Sequence, residues 1–170
     1  MALRLTPEAK KDIIVLTVIE TPHVIVGAAI ATKVVNPALA LPLALGSHFV
    51  LDKIPHWNPH LFTETQKYGK PTQKSSLIVA VDVFASILIG GYIASQALPN
   101  TAHALTILAC CFLAVAPDIV EGPYFFLNFK NKTIEKWIRF QRSFQINVDL
   151  LPGILTQIIT VAASLWWIYS

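Results

Sequence analysis

The sequence predicts an all-α integral membrane helical bundle, with four or five membrane-embedded helices and interfacial amphipathic helices beside them. Three observations carry this. The 170 residues are 54% hydrophobic and only 14% charged, where a soluble domain carries about 25% charged residues. Mean hydropathy is +0.57. Residues 75–129 contain no lysine or arginine, yet are almost wholly apolar and long enough to cross a bilayer twice. The length fits one membrane domain over 1–170.

Thr6-Pro7-Glu8 reads as a helix start, with a cap, a proline in the first turn and an acid behind it. The helix runs over 7–20, too short to span, and is read as interfacial. Thr21-Pro22-His23 is a second start of the same kind. It opens a helical hairpin over 22–54, turned at Asn36-Pro37, with small residues from Gly27 to Ala31 that permit close helix approach. Residues 56–75 read as a polar loop. Membrane helices follow over 76–98, 102–128 and 150–169, the last ending in the aromatic group Trp166, Trp167 and Tyr169. Between them, 132–145 is a basic amphipathic helix, with Ile134, Trp137, Ile138 and Phe144 near one face. Asn147 and Asp149 are expected to cap the final helix.

Charge sets the orientation. With the N-terminus in the cytoplasm, every Lys and Arg lies inside except Lys33 at the hairpin tip. The net charge of +3 sits in loops and reads as topology, which argues against nucleic-acid binding. The apolar run after the basic N-terminus is too short for a secretory signal, so internal spans are expected to direct insertion. Cys110 and Cys111 are adjacent, match no zinc-ribbon spacing and read as packing residues.

Chemistry enters through the acids. Asp82, Asp118 and Glu121 lie in the stretch without a basic residue. A carboxylate in hydrocarbon costs at least about 2.5–3.5 kcal/mol, so it needs a partner, a proton or a metal. The topology brings His23, His48, Asp52, His56, Asp82, Asp118 and Glu121 into one leaflet near the cytoplasmic boundary. His48 and Asp52 are at i, i+4 and share a helical face; Asp118 and Glu121 are at i, i+3 and do so if the helix resumes after Pro117. Imidazole and carboxylate donors suit a divalent transition metal, zinc first. His23, His48, Asp52 and Asp118 are the candidate ligands, Glu121 the candidate general base, and His56 and Asp82 the second candidates. Each has a plain alternative as a cap, a packing link or an interfacial side chain.

The segment His48-Phe-Val-Leu-Asp52-Lys-Ile-Pro-His56, with Thr21-Pro-His23 and its Gly/Ala-rich run and with Ala116-Pro117-Asp118-Ile-Val-Glu121, resembles the bacterial integral-membrane predicted metal-dependent hydrolases. That resemblance implies a bacterial inner-membrane protein hydrolysing a lipid, lipid-linked or membrane-near substrate with a bound metal. The family's further His-rich stretch has no counterpart in Arg142–Gln145, which counts against a two-metal site. The rival readings are a non-enzymatic scaffold or small ion- or proton-coupled transporter, and a purely structural polar cluster.

Overall fold

A computed structural model describes residues 20–170. The interfacial helix expected over 7–20 therefore lies outside the described residues, save for Glu20 at its end. Seven helices follow in order, with no strand among the described residues.

Helix α1 (Thr21–Lys33) and helix α2 (Pro37–Asp52) form the expected hairpin. The Asn36 side chain starts α2 by accepting a hydrogen bond from the Ala38 amide at 3.0 Å. At 13 and 16 residues these helices measure about 20 and 24 Å, short of the roughly 30 Å hydrocarbon core. Nine of the 13 residues of α1 are buried, so it is the axis of the bundle rather than a lipid-facing span. Among the described residues only α4 (Gln73–Ser95), α5 (Thr101–Phe126) and α7 (Leu150–Tyr169) are long and apolar enough to cross a membrane. The expected four or five embedded helices thus become three candidate spans among the described residues, because one hairpin arm is packed inside protein and both are short.

The polar stretch after α2 is not all loop. It contains α3 (Leu61–Tyr68), closed by Gly69 at φ +79°, a left-handed position that favours glycine. Glu64 of α3 ties this segment to the next span, its carboxylate accepting from the Thr72 amide and the Ser75 hydroxyl, each at 2.8 Å.

Helix α5 continues without a break through Pro117 and Pro123, so Asp118 and Glu121 stand one turn apart on one helix. Its contact with α1 is made close by Gly27. A Cβ there would lie 2.7 Å from the Cys110 carbonyl oxygen and 2.9 Å from the Ala114 Cβ. Around this crossing Val24, Ala28, Ala40, Ala44, Ile107 and Cys110 form the buried core. The two cysteines are free and buried, as packing residues should be.

Helix α6 (Lys132–Arg142) folds back against α5, with Ile138 and Gln141 fully buried. Trp137 donates its indole N–H to the Pro117 carbonyl at 3.1 Å. Phe49 of α2 meets Trp137, Phe140 and Phe144 edge-on or tilted. Helix α7 docks on the turn after α2, where Gly153 lies so close to Trp57 that a Cβ would collide with its backbone amide. Asp149 holds the N-cap position of α7 but makes no capping bond, and Asn147 pairs with His56 in a short parallel bridge. Asp149 is thus the N-cap by position without a side-chain bond, and Asn147 is not a cap; the 146–148 backbone holds the turn, through bonds between His56 and both Ile146 and Val148.

Candidate metal centre

The first turn of α1 supplies His23, the last two turns of α2 supply His48 and Asp52, and α5 supplies Asp118. All meet at one end of the bundle. His48 Nε2 lies 3.6 Å from Asp52 Oδ2 and 3.8 Å from Asp118 Oδ1. His23 Nε2 lies 3.9 Å from Asp52 Oδ1. The two imidazoles stack, with centroids 4.4 Å apart and 28° between planes. One ligand atom each from His23, His48 and Asp118 falls within 4.8 Å of the others, a group that could hold a metal ion. Asp52 stands beside them, one oxygen toward each imidazole.

His48 is fully buried and its ring is fixed from behind. Nδ1 donates to the Ala114 carbonyl at 2.8 Å. That assigns the proton to Nδ1 and turns the Nε2 lone pair into the site, the arrangement a metal-binding histidine needs. The glycine contact at 27 seats α1 against this same turn of α5.

Gln141 completes the group, and sequence reasoning did not find it. Its amide Nε2 donates to His48 Nε2 at 3.1 Å and to Asp118 Oδ1. A neutral N–H donor thus occupies the place between two acceptors that a cation would take. One signal was available: Ile134, Ile138 and Gln141 recur at i, i+4, i+7, so a glutamine stands on the apolar face of α6.

The polar atoms left over point the same way. Five of the eight buried side-chain N or O atoms that lack a hydrogen-bond partner among the described residues belong to Glu20, His23, Asp52, Glu121 and Gln141. Each such atom costs about 1–3 kcal/mol. One of them is on His23 of the three-residue group and the others are on its neighbours in the site; with imidazole and carboxylate donors gathered there, the residues present fit a divalent metal. Glu20 is a second residue that the sequence reading passed over; burial and the nearby Asp118 and Asp82 carboxylates push its carboxyl well above the usual range.

The second candidates have other work. The Asp82 carboxylate reaches the start of α1, accepting from the Glu20 amide and, at 2.8 Å, from the Thr21 hydroxyl. Since α1 has no side-chain cap of its own, Asp82 supplies one from α4. Both ring nitrogens of His56 are taken, Nδ1 by the Ile54 carbonyl at 2.7 Å and Nε2 by the Asn58 amide at 2.9 Å. Burial pushes its pKa down. Asp82 and His56 thus lie outside the three-residue group and hold its supports.

A cavity of about 680 Å³ opens on this centre. Glu20, His23, Asp52, Asp118 and Glu121 line its polar end. Comparison of the chain with protein-family models, with curated proteins and with solved structures finds no match.

Proposed function

We propose that this chain is a membrane-embedded, metal-dependent hydrolase of the kind its motifs resemble. It acts on a lipid or membrane-near substrate at the cytoplasmic leaflet of a bacterial inner membrane, with its N-terminus inside. The observation that carries this reading is the buried His23, His48 and Asp118 group beside Asp52, at the end of a cavity bordered by candidate spans.

A divalent cation, zinc by donor type, supplies Lewis acidity and acidifies water. The chain's own residues do the rest. His23, His48 and Asp118 hold the cation, with Asp52 turned toward both imidazoles. The Ala114 carbonyl keeps His48 in the tautomer that presents Nε2. Glu121, one turn beyond Asp118 and lining the same cavity, takes the proton from the attacking water as general base. The apolar helices around the cavity limit access of bulk water, which strengthens each charge inside.

One observation favours a second reading. The Gln141 amide already bridges His48 and Asp118, as it would in a polar cluster that only fixes helix packing. Metal analysis of the purified protein separates the two. About one transition-metal ion per chain, lost in His48→Ala, with hydrolysis of a phospholipid ester or phosphodiester that Glu121→Gln abolishes, supports the hydrolase. A folded wild-type protein that takes up no metal overturns it in favour of the structural cluster.

A further inference from the structure

We infer that the cavity beside the metal centre is a slot for one acyl chain of a phosphate-bearing membrane lipid, with Arg142 receiving the phosphate. The slot is the substrate end of the proposed hydrolase and, as the site of a substrate, rests on that reading.

The cavity has two chemically distinct ends. On α5 its wall runs from Leu108 through Phe112 and Val115 to Asp118 and Glu121, 13 residue steps and so about 20 Å along the axis. On α4 the matching wall is Val83, Ile87 and the Gly90-Gly91 pair. These positions recur at three- and four-residue steps, so each helix turns one face to the cavity. The far end is apolar and open at its edge, with Ile87 67% and Phe112 57% exposed. Because α4 and α5 are candidate spans, that open edge looks onto hydrocarbon.

The near end is where charge gathers. Against the acids there, Arg142 is the one lysine or arginine that lines the cavity among the described residues. Its guanidinium lies over the Phe62 ring at 4.4 Å, and its side chain is exposed at the end of the amphipathic helix α6. A guanidinium resting over a ring at the polar rim can present its N–H fork to a phosphate. A neutral glyceride has no anion to offer it.

The walls also leave room. A Cβ at Gly91, at the apolar end, would meet nothing within 4 Å, and the same holds at Gly122 beside Glu121. Gly90 differs: a Cβ there would come 3.1 Å from Val24. Of the two adjacent glycines on α4, one serves helix packing and the other leaves the slot open.

The test uses the full chain in detergent with equimolar phosphatidylglycerol carrying a photoactivatable diazirine midway along one acyl chain. Peptide mapping should place the label on Val83, Ile87, Leu108, Phe112 and Val115. Labelling spread equally over Phe84, Leu88 and Leu105, whose exposed side chains do not line the cavity, overturns the slot. Gly91→Leu, which favours helix and meets no backbone, should suppress slot labelling several-fold; labelling unchanged by it overturns the slot too. Arg142→Gln should lower labelling by about tenfold, the equivalent of one charge-assisted hydrogen bond. A diacylglycerol bearing the same chain should label as weakly as that variant; equal labelling by both lipids overturns the phosphate assignment. Metal content is measured on the same samples. Metal without slot labelling removes the slot and leaves the hydrolase standing. Slot labelling in a protein that binds no metal removes the hydrolase and leaves a lipid site.

Discussion

Gln141→Glu changes one atom pair at the point where two acceptors already meet. In the wild type the amide N–H group faces His48 Nε2 at 3.1 Å and also bonds Asp118 Oδ1. Glutamate at 141 replaces that donor with a second carboxylate. Two unit charges about 4 Å apart repel by about 4 kcal/mol at an effective dielectric of 20. The lost donor leaves His48 and Asp118 unsatisfied, at about 1–3 kcal/mol each. Proton uptake by the new carboxyl relieves part of this, so the metal-free variant should be less stable than wild type by about 2–4 kcal/mol. A divalent cation reverses the sign, because the added carboxylate becomes a further anionic ligand. The assay is thermal unfolding of both proteins in detergent, with a chelator and then with excess zinc or manganese. Metal should raise the midpoint of the variant more than that of wild type. A variant as stable as wild type in chelator and indifferent to added metal would refute the placement of a cation between these groups.

Three further outcomes follow from the supports of the site. Gly27→Ala should destabilise the fold by about 1–3 kcal/mol and weaken metal binding together, since its Cβ would press on the Cys110 carbonyl and Ala114; normal metal affinity in calorimetry would separate the α1–α5 contact from the site. Asp82→Ala should cost about 1–2 kcal/mol through the lost cap on α1 while metal per chain at saturation stays unchanged; loss of metal at unchanged stability would make Asp82 a ligand instead. His56 is held neutral by burial, so the unfolded chain binds more protons below the ordinary histidine value of about 6.5. Its contribution should be present above that value and be lost as pH falls toward the depressed folded value. A His56→Asn variant should show a shallower fall in melting temperature over that acid range, and a slope equal to wild type would exclude His56 as the source.

Much of the site was legible because its spacings are local. His48 and Asp52 share a face by helical periodicity alone, and Thr-Pro-His set the start of α1 within a residue. Asp118 was legible through its acid-in-hydrocarbon cost, although the continuity of α5 past Pro117 was not, since a proline inside a helix reads as a break. The span count was not legible. Apolar composition does not distinguish a helix facing lipid from one such as α1 enclosed by other helices. The eight-residue α3 lay hidden in a polar stretch whose helix is fixed by tertiary bonds from Glu64 to Thr72 and Ser75. The bond from Asp82 to the start of α1 was not legible, because the two lie some 60 residues apart. Gln141 carries no charge, and an uncharged side chain raises no alarm in an apolar sequence.

Helix α6 joins two places that would otherwise be independent. Its outer face carries Lys136 and Arg139, exposed to the surroundings, while its inner face sets the Gln141 amide between His48 and Asp118 and the Trp137 indole on Pro117. Eleven residues of hydrogen-bonded helix do not stretch. A displacement of α6 would therefore move the Gln141 amide and the Trp137 indole together.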